Sequence, residues 1–107
     1  MKTSIVILNW NGADMMRRFL PSVLEYSAGA EVVVADNGST DESLQMLEHD
    51  FPRVHIIKME RNYGFAEGYN QALRQVQADV YVLLNSDVRV TPGWLDPLIG
   101  CLEKHPE

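Results

Sequence analysis

Four apolar runs rich in β-branched residues recur along the chain, and each ends abruptly in a polar tip: Ser4-Ile5-Val6-Ile7-Leu8, Glu31-Val32-Val33-Val34-Ala35, Val54-His55-Ile56-Ile57-Lys58-Met59 and Val80-Tyr81-Val82-Leu83-Leu84. Such runs read as strands. Three of them are almost unbroken apolar stretches, the pattern of strands covered by helices on both faces of a parallel sheet. The third carries His55 and Lys58 and is placed nearer an edge. Between the runs lie helical patterns. Met15, Phe19, Val23 and Leu24 share roughly one face, with Pro21 kinking this helix or opening a second turn. A second helix starts in the capping-box pattern Ser39-Thr40-Asp41-Glu42 and continues through Leu44 and Leu47. A third places Ala66, Tyr69, Leu73 and Val76 at helical spacing. A last one runs from Trp94 through Leu95, Leu98, Ile99 and Leu102, with Pro97 tolerated in its first turn. Strictly alternating strands and helices predict an α/β fold: a doubly wound, mainly parallel sheet with helices on both faces.

The 107 residues, 46% hydrophobic and 22% charged, suit a single domain with one core spanning 1–107. The sequence holds neither a bilayer-spanning apolar run nor a signal-peptide core after Met1-Lys2-Thr3. Its single cysteine, Cys101, lies beside Leu102 and is read as buried. These features point to a cytoplasmic protein, with a place at the inner face of the membrane open to a full-length form. The net charge of −6 argues against a nucleic-acid partner, which requires clustered Lys and Arg. It does not exclude a diphosphate, since helix N-termini, loop amides or a divalent cation supply positive field locally.

In open α/β sheets ligands bind beyond the carboxyl ends of the strands, and the polar residues gather there. The four tips are Asn9-Trp10-Asn11-Gly12, Asp36-Asn37-Gly38-Ser39, Arg61-Asn62-Tyr63-Gly64 and Asn85-Ser86-Asp87. Asp36 is either a turn residue or a charged acceptor for a nucleobase N–H or a ribose hydroxyl. Asn11 reads as the N-cap of the first helix. Asn9, at the strand tip, is free to touch the base. In the stretch Arg61 to Asn70, Gly64 permits close approach to a ligand, and the following helix N-terminus can face an anion with Arg61 nearby. The bland alternative makes Gly64 a left-handed turn and Asn70 a helix-surface residue. Asn85-Ser86-Asp87 has no helix start immediately behind it, so capping does not readily explain its polar side chains. Asp87 is the metal-ligand candidate, because Mg²⁺ or Mn²⁺ can be held by few carboxylates when substrate phosphates complete the shell. Trp10 and Tyr63 are packing residues of which one can flank a base; His49, His55 and His105 form no pair.

Taken together, Ser4 to Gly12, Val34 to Asp41, Asn62 to Asn70 and Leu83 to Asp87 resemble family 2 glycosyltransferases, in the order and spacing of that family. The resemblance implies a GT-A fold and inverting transfer of a sugar from a nucleoside-diphosphate donor. It implies donor contacts from Asn9, Asp36, Asn62, Gly64, Asn70, Asn85 and Ser86, and makes Asp87 the last carboxylate of a D-x-D motif binding Mn²⁺ or Mg²⁺. Asn85 departs from that motif and removes one negative charge. The Leu-Asn-x-Asp form looks like rhamnosyltransferase-like enzymes of cell-surface polysaccharide synthesis. Family catalytic domains also continue further, so the chain reads as the nucleotide-sugar-binding portion of a longer enzyme. The general base and the site for a saccharide or lipid-linked acceptor are expected beyond Glu107, and an exposed sheet edge offers a route to a homo-oligomer. A non-catalytic nucleotide-binding or interaction module is the alternative. A flavodoxin-like phosphoacceptor domain lacks its acidic pair after the first strand, and a nucleotidyltransferase lacks a basic glycine-rich loop there.

Overall fold

The computed structural model describes residues 2–27, 29–85 and 90–95. β1 (Thr3–Asn9), α1 (Ala13–Glu25), β2 (Ala30–Asp36), α2 (Ser43–Asp50), β3 (His55–Lys58), α3 (Phe65–Leu73) and β4 (Val80–Asn85) follow one another in strict alternation. The sheet is parallel throughout, in the order β3-β2-β1-β4. Its winding direction reverses between β1 and β4, which is where such folds open a crevice.

Side chains alternate across the sheet, so each central strand feeds two cores. Ile5, Ile7, Val32 and Val34 pack with Ala13, Met16, Leu20 and Val23 of α1 and with Met46 and Leu47 of α2. Val6, Val33, Ala35 and Ile57 face Tyr69 and Ala72 of α3 and Val76 beyond it. Val90 and Leu95 join the first core, and Trp94 is fastened there by a hydrogen bond from its indole Nε1 to Ser27 Oγ, 3.0 Å.

Sequence expectations change in four elements. The apolar stripe of α1 is rotated: Met16 and Leu20 are buried while Met15 is 43% exposed. The helix also runs through Pro21 as one element. The capping box does not open α2, which starts at Ser43 and receives its polar support from the Asp41 carboxylate. Ser39 and Thr40 are recruited to the neighbouring loop instead. In α3, Ala66 is exposed and Val76 lies beyond the helix end. The unbroken apolar pattern predicts full coverage of β4, yet its alternate residues Tyr81 and Leu83 are exposed, because α3 packs over β1 and β2 rather than β4. Of the expected last helix, Trp94 and Leu95 lie in a bend rather than a helical turn, and Pro97, Leu98, Ile99 and Leu102 lie outside the described residues, as do Cys101 and His105. No helix among the described residues is long and apolar enough to cross a membrane.

The rotated face of α1 is directly testable. Met16→Ala should lower unfolding free energy by about 2–5 kcal/mol, the cost of a cavity in a packed core. Met15→Ala should stay within about 0.5 kcal/mol of the parent in the same urea titration.

Candidate functional site

β1 and β2 pair in register to their ends, which sets Asn9 opposite Asp36. Both are almost fully buried. Asn9 Nδ2 donates to Asp36 Oδ1 at 3.1 Å and to Ser39 Oγ at 3.3 Å, while Asn9 Oδ1 accepts from Gly12 N. The Ser39 hydroxyl donates to Asp36 Oδ1 at 2.7 Å, and Ser39 N donates to Asp36 Oδ2 at 3.0 Å. A buried carboxylate is costly unless hydrogen-bonded, and these three donors supply that bonding.

The same two loops are joined further out. Asn11, at φ +50°, does not cap α1 as the sequence suggests. Its Oδ1 accepts from Thr40 N at 2.7 Å and Asp41 N at 3.2 Å, and its backbone N donates to Ser39 Oγ. Support for the start of α1 comes from across the gap, where Ala13 N donates to Asp41 Oδ2. Partial burial of Asp41 opposes its ionisation, but donation from the Ser43 hydroxyl and from the amides of Ser43, Ala13 and Asp41 itself outweighs that effect and holds the carboxyl below the ordinary aspartate range. Every buried side-chain N and O among the described residues has a partner.

A third loop closes against these two. Asn37, 2% exposed, bridges from β2 to the turn before α3, where Gly64 at φ +80° precedes the helix. Gly38 makes the approach possible: a Cβ there would lie 2.6 Å from the Arg61 carbonyl carbon and 2.7 Å from Asn62 N. Gly68 does the same on α3, where a Cβ would meet Asn37 Nδ2 at 2.9 Å and Leu8 at 3.0 Å. Around these contacts opens a cavity of about 240 Å³ lined by Leu8, Trp10, Asn37, Asn62, Gly64 and Phe65. It falls below the ~300–1,000 Å³ of a complete small-molecule site, which is the right scale for part of a ligand such as one ring system. Another cavity, of about 400 Å³, is lined by residues of α1 and the α2–β3 connection, at the opposite, amino-terminal ends of the strands. Its position away from the convergent polar loops leaves the smaller cavity as the site.

The structure therefore brings Asn9, Asp36, Asn62 and Gly64 to one end of the sheet. Asn9 and Asp36 are internal there, whereas Asn62 and Gly64 line the cavity. Asn70 is exposed on α3, and Asn85 is exposed at the carboxyl end of β4. Ser86 and Asp87 lie outside the described residues. Arg61 places its guanidinium 4.9 Å from the centre of the Tyr63 ring. Asn37 and Phe65 were not singled out by sequence reasoning. The available signal was their placement, one directly after a strand-end aspartate and the other directly after the Gly64 turn.

These features define an α/β domain whose polar strand ends converge on a crevice of the scale of part of a ligand. A profile described as Glycosyl transferase family 2 matches residues 4–107, and the chain belongs to that family. It is 38% identical over 93 residues to the uncharacterized glycosyltransferase YfnE of Bacillus subtilis (strain 168), covering 82% of this chain and 24% of that protein. It is 26% identical to the N-acetylglucosaminyl-diphospho-decaprenol L-rhamnosyltransferase of Mycobacterium tuberculosis (strain ATCC 25618 / H37Rv), covering 95% of this chain and 37% of that protein. The fold matches the crystal structure of S. aureus TarS 1-349 in complex with UDP-GlcNAc with a TM-score of 0.84 and 25% identity, over 99% of this chain and 32% of that one. The chain thus spans well under half the length of these proteins.

Two measurements follow from the loop contacts. Gly29→Ala, at φ +87° with open space around it, should cost about 1 kcal/mol, the penalty of a left-handed residue. Gly38→Ala should exceed that by about 1–3 kcal/mol in the same chemical denaturation, because its Cβ also meets backbone. Asp41 is stabilised in its charged form by folding. Its contribution is complete above the unfolded aspartate value of about 3.9 and disappears as pH falls through the lowered folded value. The stability gap between parent and Asp41→Asn should therefore be full at neutral pH and shrink steadily on acidification below that value.

Proposed function

We propose that these residues form the donor-binding part of an enzyme that transfers a sugar, with inversion, from a nucleoside-diphosphate sugar to an acceptor hydroxyl in cell-surface polysaccharide or glycoconjugate synthesis. The observation that carries this reading is the cavity at the strand ends, lined by Trp10, Asn37, Asn62, Gly64 and Phe65. Its aromatic side chains, Trp10 at 55% and Phe65 at 68% exposure, offer flat apolar surface to a base, and the exposed carboxamide of Asn62 offers hydrogen-bonding groups to its edge. The TarS complex with UDP-GlcNAc supports the same class of ligand, and the mycobacterial rhamnosyltransferase supports a lipid-linked acceptor.

Within this reading Asn9 and Asp36 shape the pocket from beneath. Asp36 accepts three hydrogen bonds from described residues, and a carboxylate has about four acceptor positions, so one remains for a base or ribose donor. Asn62, Gly64, Asn70, Asn85 and Ser86 complete the donor contacts. No group of three or more His, Cys, Asp or Glu side chains able to hold a metal occurs among the described residues. A donor set of Asp87 with the Asn85 carbonyl oxygen fits Mg²⁺ or Mn²⁺ only if the diphosphate supplies further oxygens. A bound cation there would stabilise charge on the leaving diphosphate. An inverting transfer also needs a carboxylate that accepts the acceptor proton, and that base is assigned to the remainder of the enzyme, where the acceptor binds. A cytoplasmic site of action suits a soluble nucleotide-sugar donor.

Titration of uridine, thymidine and guanosine diphosphates against the protein, with and without Mn²⁺, tests this reading. One base should be preferred, and Mn²⁺ should tighten binding by about tenfold or more, equivalent to ~1.4 kcal/mol. Asp87→Ala should remove the Mn²⁺ effect and leave metal-free binding near that of the parent. Absence of any nucleoside-diphosphate binding would sink the donor assignment. Undiminished Mn²⁺ enhancement in Asp87→Ala would sink the metal assignment alone, and binding without transfer by the full-length protein would favour the non-catalytic alternative.

A further inference from the structure

We propose that Asn37 is a positioning residue for the donor pocket: its buried carboxamide holds the turn before α3 so that Asn62 and Gly64 present themselves to the ligand. This rests on the donor-site reading above and adds a residue whose side chain acts through its neighbours. Asn37 Nδ2 donates to Asn62 Oδ1 at 3.1 Å and to the Gly64 carbonyl at 3.1 Å. Its Oδ1 accepts from Tyr63 N at 2.9 Å. Both amide protons and the carbonyl oxygen are thereby committed to one turn. The Asn37 backbone N–H donates to Asn9 O at 2.7 Å, which ties the carboxamide to the end of β1.

The turn depends on this support. Among the described residues, the amide of Tyr63 donates to Asn37 and that of Gly64 donates to Asn62 Oδ1 at 2.7 Å, so the loop is held by asparagine side chains rather than by a backbone ladder. Asn62 is in turn oriented by Asn37, which makes the two carboxamides a relay from the sheet to the cavity wall. Gly68 of α3 packs against the carboxamide, where a Cβ would lie 2.9 Å from Asn37 Nδ2, and Gly38 lets the backbone of Arg61 and Asn62 close against the end of β2. Asparagine is required because the site presents two acceptors, Asn62 Oδ1 and Gly64 O, and one donor, Tyr63 N. An aspartate of the same shape would set a carboxylate oxygen against both acceptors.

Asn37→Asp in the full-length protein tests this, with two readouts. Amide hydrogen exchange should accelerate by about tenfold or more at Tyr63 and Gly64 while β1 and β2 keep their protection. Affinity for the preferred nucleoside diphosphate should fall by about tenfold, the scale of a lost hydrogen bond and an unpaired acceptor. In an Asn62→Ala background the same substitution should cost much less, because part of the relay is already gone. Should the aspartate variant fail to fold, Asn37→Ser, which stays neutral but cannot reach both acceptors, should produce the same pair of changes. Unchanged affinity in a folded Asn37 variant, or full multiplication of the Asn37 and Asn62 losses, would overturn the proposal. A parent protein that binds no nucleoside diphosphate would instead overturn the donor-site reading and the proposal with it.

Discussion

The end of the sheet is organised by one buried contact, that of the Asn9 carboxamide with the Asp36 carboxylate. A carboxylate out of water must find donors, and the parallel register of β1 and β2 delivers Asn9 directly opposite it. Ser39 supplies the other two donors, which curls the β2–α2 loop back over the strand end. With Ser39 held there, Asn11 and Asp41 fall into place across the gap, and α1 receives a cap from a residue distant in sequence. Each loop is thus shaped by its neighbour.

This arrangement explains why residues that look like ligand contacts are partly structural. Asn9 uses both of its polar atoms inside the protein, and Asp36 is 2% exposed. The surface offered to a ligand belongs to residues resting on them: Trp10 and Leu8 at the end of β1, Asn37 at the end of β2, and Asn62, Gly64 and Phe65 before and within α3. A rigid polar base beneath an apolar and amide-lined wall is a sound design for a pocket, since the wall residues then pay little ordering cost when a ligand arrives.

Much of this was legible in the residues themselves. The apolar runs marked all four strands to within about two residues of their observed bounds, as strand ends usually allow. The exposure of β3 followed from His55 and Lys58, and the gathering of Asn9, Asp36 and Asn62 followed from the rule that open α/β sheets bind at their carboxyl ends. The phase of α1 was misread by one residue, because Met15 and Met16 are chemically equivalent and only packing against Ile5 and Val34 chooses between them. The capping box was misread because Ser39 and Thr40 had better partners on another loop.

By itself the sequence determined the alternation of strands and helices, the family, and which strand tips carry polar chemistry, since these depend on local pattern and on motif spacing along the chain. The tertiary structure alone decided which of those polar groups are consumed internally and which face the cavity. Hydrogen-bond partners such as Asn37 and Asn62 lie 25 positions apart, and their pairing exists only once β2 and β3 lie side by side.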